Sequence, residues 1–162
     1  MADGKALFHA DHGNLAAAGG VPTVTTVSAG RTAMAQQKGL DGKTPLSIAA
    51  GYIIVPSALA TPAEQLVGAT FPVETGGVVP PTLRRLQVIS EPRLDVNSPA
   101  RWYLSADPEQ IDTLVAATLE GSDSANIETR WLFEVDGMDV KCRHDFAAAA
   151  ADFRGLYANP GA

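Results

Sequence analysis

The sequence predicts an α+β chain, and three patterns carry that prediction. Residues 127–146 are two alternating runs that meet at Asp136-Gly137, the signature of a long two-stranded ribbon. Thr61-Pro62-Ala63-Glu64 combines an N-cap residue, a proline at the first helical position and a glutamate at the third, which together announce a helix. Tyr52-Ile53-Ile54-Val55 is a short, wholly apolar run stopped by Pro56, as expected of a buried strand.

The remaining elements follow in order. Asp3-Gly4 suggests a turn leading into a short strand through Leu7-Phe8, and 9–14 reads as a polar loop. From 24 to 37 the pattern is helical, with Val24, Val27, Arg31 and Met34 near one face, ended by Gly39 and Asp41-Gly42. Leu66 and Val67 supply the buried side of the helix at 61. Residues 71–85, rich in Gly, Val and Pro, have no period and read as a long loop; 86–89 and 102–104 are short strands. Asp107-Pro108-Glu109-Gln110 is a second capping signature, and Ile111, Leu114, Val115 and Leu119 keep helical spacing, so the residues alone predict a helix over 108–119. Five alanines at 147–151 read as a turn of helix, too short to stand without packing. A last strand closes the chain near 152–157.

In the ribbon, Ile127, Thr129, Trp131, Phe133 and Val135 share one face with Val140, Cys142, His144 and Phe146, and the returning run is charged on the other. A two-residue turn at Asp136-Gly137 sets Glu134 against Asp139 and Arg130 against Arg143. A four-residue turn gives Glu134–Lys141 and Arg130–Asp145 instead, which the repulsion of like charges favours. The two registers keep every side chain on its own face.

Composition bounds the function. The 162 residues suit one domain, or one domain with a projecting element, and 46% hydrophobic content is enough for a core. A net charge of −6 with scattered basic residues argues against nucleic acid as a specific partner. Cys142 is the single cysteine, so no intrachain disulfide forms, which fits a reducing compartment. No apolar run reaches membrane-spanning length and no signal peptide opens the chain, so a soluble intracellular protein with no membrane partner is expected.

The most tempting chemistry is His9, Asp11 and His12 with the distant His144, a donor set that a metal-dependent hydrolase could use. The spacing is not that of a zincin, and a loop whose Asp11 and Asn14 bond nearby amides explains it better. Ser57, Ser90 and Ser105 sit in no nucleophile elbow. Cys142 on an apolar strand face behaves as a small hydrophobe. Gly19-Gly20 and Gly76-Gly77 are turn glycines without a phosphate-loop pattern. Trp102, Tyr103 and Trp131 fit a core better than a stacking platform for bases or sugars. A small ligand-binding module remains the second alternative and requires a deep apolar pocket. By elimination the chain reads as a structural or interaction protein: no catalytic, cofactor-binding or metal residue is assigned, and no cofactor is expected.

The ordered set of short segments resembles the major capsid proteins of tailed phages, in particular the Mu-like family often encoded as the C-terminal half of a prohead protease–capsid fusion. The matching pieces are 3–15 and 33–42, then Tyr52-Ile-Ile-Val-Pro56, Glu91-Pro-Arg-Leu94, Trp102-Tyr-Leu104 and Ala106-Asp-Pro108. Val135-Asp-Gly137, Val140-Lys141, Asp145-Phe146 and 153–161 complete them, so the likeness runs over nearly the whole chain.

The resemblance implies an HK97-type capsid fold within 1–162. An axial body would span about 20–120, and a peripheral part, 121–162, would hold the ribbon and the terminal strand. It implies a strand at 113–119, with 107–110 reduced to a single turn. It implies a virion protein of a phage or prophage head, present in the bacterial host cytoplasm during assembly and acting by self-association into an icosahedral shell. Capsomer neighbours would be its partners, with 72–85 as a ring contact and Lys141, Arg143 and Glu128 either facing a neighbouring subunit or lying on a solvated sheet face. The family's N-terminal arm, extended loop, spine helix and protease half have no counterpart in this stretch, which implies a truncated piece, monomeric or poorly assembling by itself, with no enzymatic activity.

Overall fold

The computed structural model describes residues 1, 3–68, 80–120 and 124–162. Among them the chain runs α1 Val24–Ala35, β1 Ala50–Val55, α2 Ala60–Gly68, β2 Gln87–Ser90, β3 Trp102–Ala106, β4 Leu114–Thr118, β5 Asn126–Trp131, β6 Met138–Arg143, β7 Phe146–Ala150 and β8 Leu156–Asn159. Two units result, Met1–Thr113 with Ala151–Ala162, and Leu114–Ala150.

The larger unit is built on a four-stranded sheet of order β2-β1-β3-β8. β1 runs parallel to β2 and antiparallel to β3, with Ile53 opposite Val88 and Leu104, and β3 runs antiparallel to β8, with Leu104 opposite Tyr157. Alternation buries Ile53 and Val55 on β1 and Trp102, Leu104 and Ala106 on β3. All four β8 residues are buried, and β8 is the edge strand of this sheet, beside β3. Val27 and Met34 of α1, Ala63 of α2, Leu83 and Leu86 complete one core cluster.

Helix α1 matches its sequence signal. Thr23 Oγ1 accepts from the Thr26 amide at 3.2 Å while Thr26 Oγ1 accepts from the Thr23 amide at 2.9 Å, a reciprocal cap made by two threonines. Val27, Gly30 and Met34 form its buried stripe. At Gly30 the helix meets the sheet so closely that a Cβ would lie 2.7 Å from the Tyr157 ring and 2.9 Å from Leu104. Gly30→Leu should therefore cost about 1–3 kcal/mol through overpacking, read as a lower denaturant midpoint at unchanged slope.

Helix α2 begins earlier than Thr61. A 3₁₀ turn, Ser57–Leu59, follows Pro56 and runs directly into Ala60, and the Ser57 amide donates to Asp95 Oδ1 at 3.0 Å. Asp95, distant in sequence, supplies the acceptor expected from Thr61, which lies inside the helix.

The expected strand at Leu7-Phe8 does not form. The backbone here bonds to a side chain: Asn14 Nδ2 donates to Leu7 O at 2.9 Å, and Asn14 Oδ1 accepts from the His9 amide at 3.1 Å. Phe8 rests on Tyr103 with ring centroids 5.3 Å apart. Gly19-Gly20, expected as a turn, is irregular chain that follows a bend at Ala17-Ala18. The Trp102 indole donates to Gly20 O at 2.8 Å, the Gly20 amide donates to Asn159 Oδ1 at 3.0 Å, and a Cβ on Gly19 would collide with the Gly161 carbonyl. Gly76-Gly77 and most of the 71–85 loop lie outside the described residues; at its end Leu83 is buried and Arg31 donates to Thr82 at 3.0 Å.

The smaller unit is a nested excursion. β4 pairs antiparallel with β7, and between them β5 pairs antiparallel with β6. Both helical readings of the residues fail here, and the strand implied by the resemblance is found: 114–118 is a strand, and so is the alanine run, with Ala116 opposite Ala148 and Ala117 opposite Ala147. Intrinsic propensity is a weak preference that a cross-strand ladder overrides. Asp107 and Gln110 close the single turn before it, the Gln110 amide donating to Asp107 O at 2.9 Å.

The ribbon exists, but in neither expected register. Arg130 faces Asp139 and Trp131 faces Met138, and the Leu132 amide donates to Gly137 O across a wide turn. Gly137 does not take a positive φ, so Asp136-Gly137 does not form the tight turn its sequence suggests. The charge argument holds in this third register, with Arg130 Nη2 3.0 Å from Asp139 Oδ2 and Lys141 Nζ 3.2 Å from Glu128 Oε2.

Candidate functional site

The N-terminal histidines are built into a structural clamp. Asp3 and His12 meet across a 3₁₀ turn, Ala10–His12, with His12 Nε2 2.7 Å from Asp3 Oδ2 and His12 Nδ1 3.2 Å from Leu7 O. The buried imidazole stacks on Phe153 at 3.9 Å between centroids, and Arg154 lies over the other ring of that pair, 5.4 Å from the Phe153 centroid. Asn14, buried, also donates to Phe153 O at 3.3 Å. The first fifteen residues are thereby tied to the segment before β8.

The other members of the suspected metal set have different tasks. His9 Nδ1 accepts from the Asp11 amide at 3.1 Å, and the Asp11 carboxylate pairs with Lys5. His144 is exposed, 6.2 Å from the Phe146 ring, in the smaller unit. Among the described residues no three His, Cys, Asp or Glu side chains converge to hold a metal ion. A hollow of about 520 Å³ lies beside the clamp, lined by Asp11, His12, Gln37, Lys38, Phe153 and Arg154 among others. Its wall mixes apolar groups such as Ala33 and Phe153 with charged and polar ones.

The hydrogen bond from His12 holds the Asp3 carboxyl down at about 2, with the Lys5 amide adding to the effect. A carboxyl whose folded value lies below its ordinary 3.8 stabilises the fold fully above 3.8 and loses that contribution as pH falls through about 2. The clamp should accordingly open between those values, seen as lost hydrogen-exchange protection at the Gly13 amide, which bonds to Ala10 O. Asp3→Asn should leave that amide poorly protected already at neutral pH and remove the acid step. Asp41, also held at about 2 by Thr44, sits in a separate loop and serves as the internal reference.

The second candidate is the surface of the smaller unit. Every residue of β4, β5 and β6 is exposed. The apolar face of the ribbon carries Ile127 at 63%, Trp131 at 77% and Val140 at 61% exposure, Phe133 and Val135 are exposed in the turn, and Phe146, in the β4–β7 sheet, is 61% exposed. Cys142 is exposed too, on that ribbon face opposite Ile127. The opposite face has its charges paired within the ribbon: Lys141 and Glu128, expected to reach a neighbour, bond to each other, and Arg143 lies 3.8 Å from Asp145. Sequence alternation identified the apolar face correctly; alternation carries no information on whether anything covers it.

The described residues contain no helix long and apolar enough to cross a membrane. Neither the curated proteins nor the solved structures offer a match to this chain. One family model, described as phage capsid protein, matches residues 1–159. Matched over nearly its full length, and with a mixed α+β architecture whose exposed apolar ribbon suits subunit contact better than catalysis, the chain belongs to the phage capsid protein family as a structural component of the head.

Proposed function

We propose that the protein acts by self-association into an icosahedral shell of HK97 type, the larger unit serving as the axial body near a capsomer centre and 114–150 as a peripheral contact arm. One observation carries this reading: the core cluster of the larger unit is made of its own residues, while the excursion leaves Ile127, Trp131, Phe133, Val135, Val140 and Phe146 in solvent. Large apolar side chains exposed in that number on a monomer mark an interaction surface. In a ring or shell each weak contact is reinforced because neighbouring contacts hold the partner in place. Assembly would take place in the bacterial host cytoplasm, with copies of the same protein as partners.

Sedimentation velocity over a concentration series, with negative-stain microscopy of the heaviest fraction, tests this. Concentration-dependent oligomers are expected, in place of the poor assembly that the resemblance implies, because the apolar ribbon residues are exposed. A chain that remains monomeric at the highest attainable concentration overturns the reading.

A further inference from the structure

The ribbon has an open edge whose chemistry is self-complementary. In an antiparallel ladder, successive residues point their N–H and C=O groups alternately toward the partner strand and away from it. The Leu132 amide donates inward to Gly137 O, so Arg130 and Glu128, paired with Asp139 and Lys141, also face inward. Ile127, Thr129 and Trp131 therefore direct their backbone groups outward from β5, where no described strand pairs with them.

We propose that β5 pairs antiparallel with β5 of a second copy about a two-fold axis at Thr129, joining two ribbons into one four-stranded sheet. This rests on the self-association reading and specifies its contact. The register follows from charge. Centring on Thr129 sets Glu128 against the other copy's Arg130, twice, and Ile127 against Trp131, twice, with Thr129 facing itself. Sliding by two in sum places Glu128 on Glu128 or Arg130 on Arg130, and an odd slide puts charged side chains on the apolar face.

Across the joined sheet, the charged row reads Lys141, Glu128, Arg130 and Asp139, alternating in sign from edge to edge, because the inner pairs already exist in each ribbon. The apolar row reads Cys142, Ile127, Trp131 and Met138. Three outward residue pairs each exchange both backbone bonds in the hydrogen-bonded geometry. The β6 edge is the poorer partner: Lys141 and Arg143 stand there against the single carboxylate of Asp139, and cationic side chains of that kind keep strand edges apart. β5 carries Glu128 and Arg130 in balance, with Ile, Thr and Trp as its outward residues.

The test uses the full chain with Cys142→Ala as background. Facing residues of a hydrogen-bonded pair lie about 5.5 Å apart at Cα, within disulfide reach. Thr129→Cys should oxidise to a covalent dimer faster than Val140→Cys, the equivalent position on the β6 edge, and only under native conditions. Thr129→Pro removes one outward N–H without touching the inner ladder and should abolish the dimer in sedimentation velocity while leaving the thermal transition of the larger unit in place. Faster crosslinking at Val140→Cys, or association by Thr129→Pro equal to that of the parent, overturns the edge assignment and leaves self-association standing. A parent chain that never associates overturns both.

Discussion

Trp102→Ala should lower the stability of the larger unit by about 3–5 kcal/mol, the range for removing a buried large aromatic side chain from a packed core. Trp102 is wholly buried at the start of β3, opposite Asn159 of β8. Its loss opens a cavity and leaves Gly20 O without the indole donor that reaches it at 2.8 Å. Trp102→Phe separates the two effects, since it keeps most of the apolar volume and loses only the hydrogen bond. That variant should cost about 0.5–1.5 kcal/mol, the net range for losing one hydrogen bond to a part-buried acceptor. Denaturant unfolding monitored by far-ultraviolet circular dichroism ranks the two; equal losses would mean that packing contributes little at this position.

Replacing 114–150 with a short Gly/Ser linker should abolish self-association and spare the larger unit. The excursion leaves and returns at one place: Thr113 O accepts from the Ala151 amide at 2.9 Å, so a few residues span the gap. The core cluster draws nothing from 114–150. Loop closure costs roughly 0.6 kcal/mol less with each halving of loop length, so the shortened chain should melt no lower than the parent. Calorimetry and sedimentation on the same sample decide this. A collapsed transition would mean that the body needs its arm to fold, and persistent oligomers would locate the contact elsewhere.

The parts legible in the sequence are those where local chemistry and tertiary packing agree. The α1 signal succeeds because one stripe, Val27 to Met34, both follows helical spacing and meets the sheet. Tyr52-Ile-Ile-Val55 succeeds because the proline and the apolar run point the same way. The misreadings arise where a distant residue supplies what a local one was expected to supply. Asp95 caps the helical run that Thr61 was expected to start, and Asn14 takes the backbone bonds of a would-be strand. At 114–118 and 146–150 each segment alone prefers helix, and only their mutual pairing makes them strands. The family resemblance foresaw the strand at 113–119, which is β4. At the histidines, residue type suggested metal chemistry, whereas Asp3, Leu7 and Phe153 turn His12 into a fastening. The exposed apolar stripe was visible as a pattern, but burial is a property of the whole assembly and leaves no trace in alternation.

Seven residues separate β4 from β5 on the outward path, and two separate β6 from β7 on the return. The inner and outer ladders consequently keep independent registers, offset by the difference. An insertion or deletion in the outward connector shifts neither the charge order at the tip nor the alanine pairing at the base. The length of the connector is thereby uncoupled from both sets of cross-strand pairs, which depend only on the strands that make them.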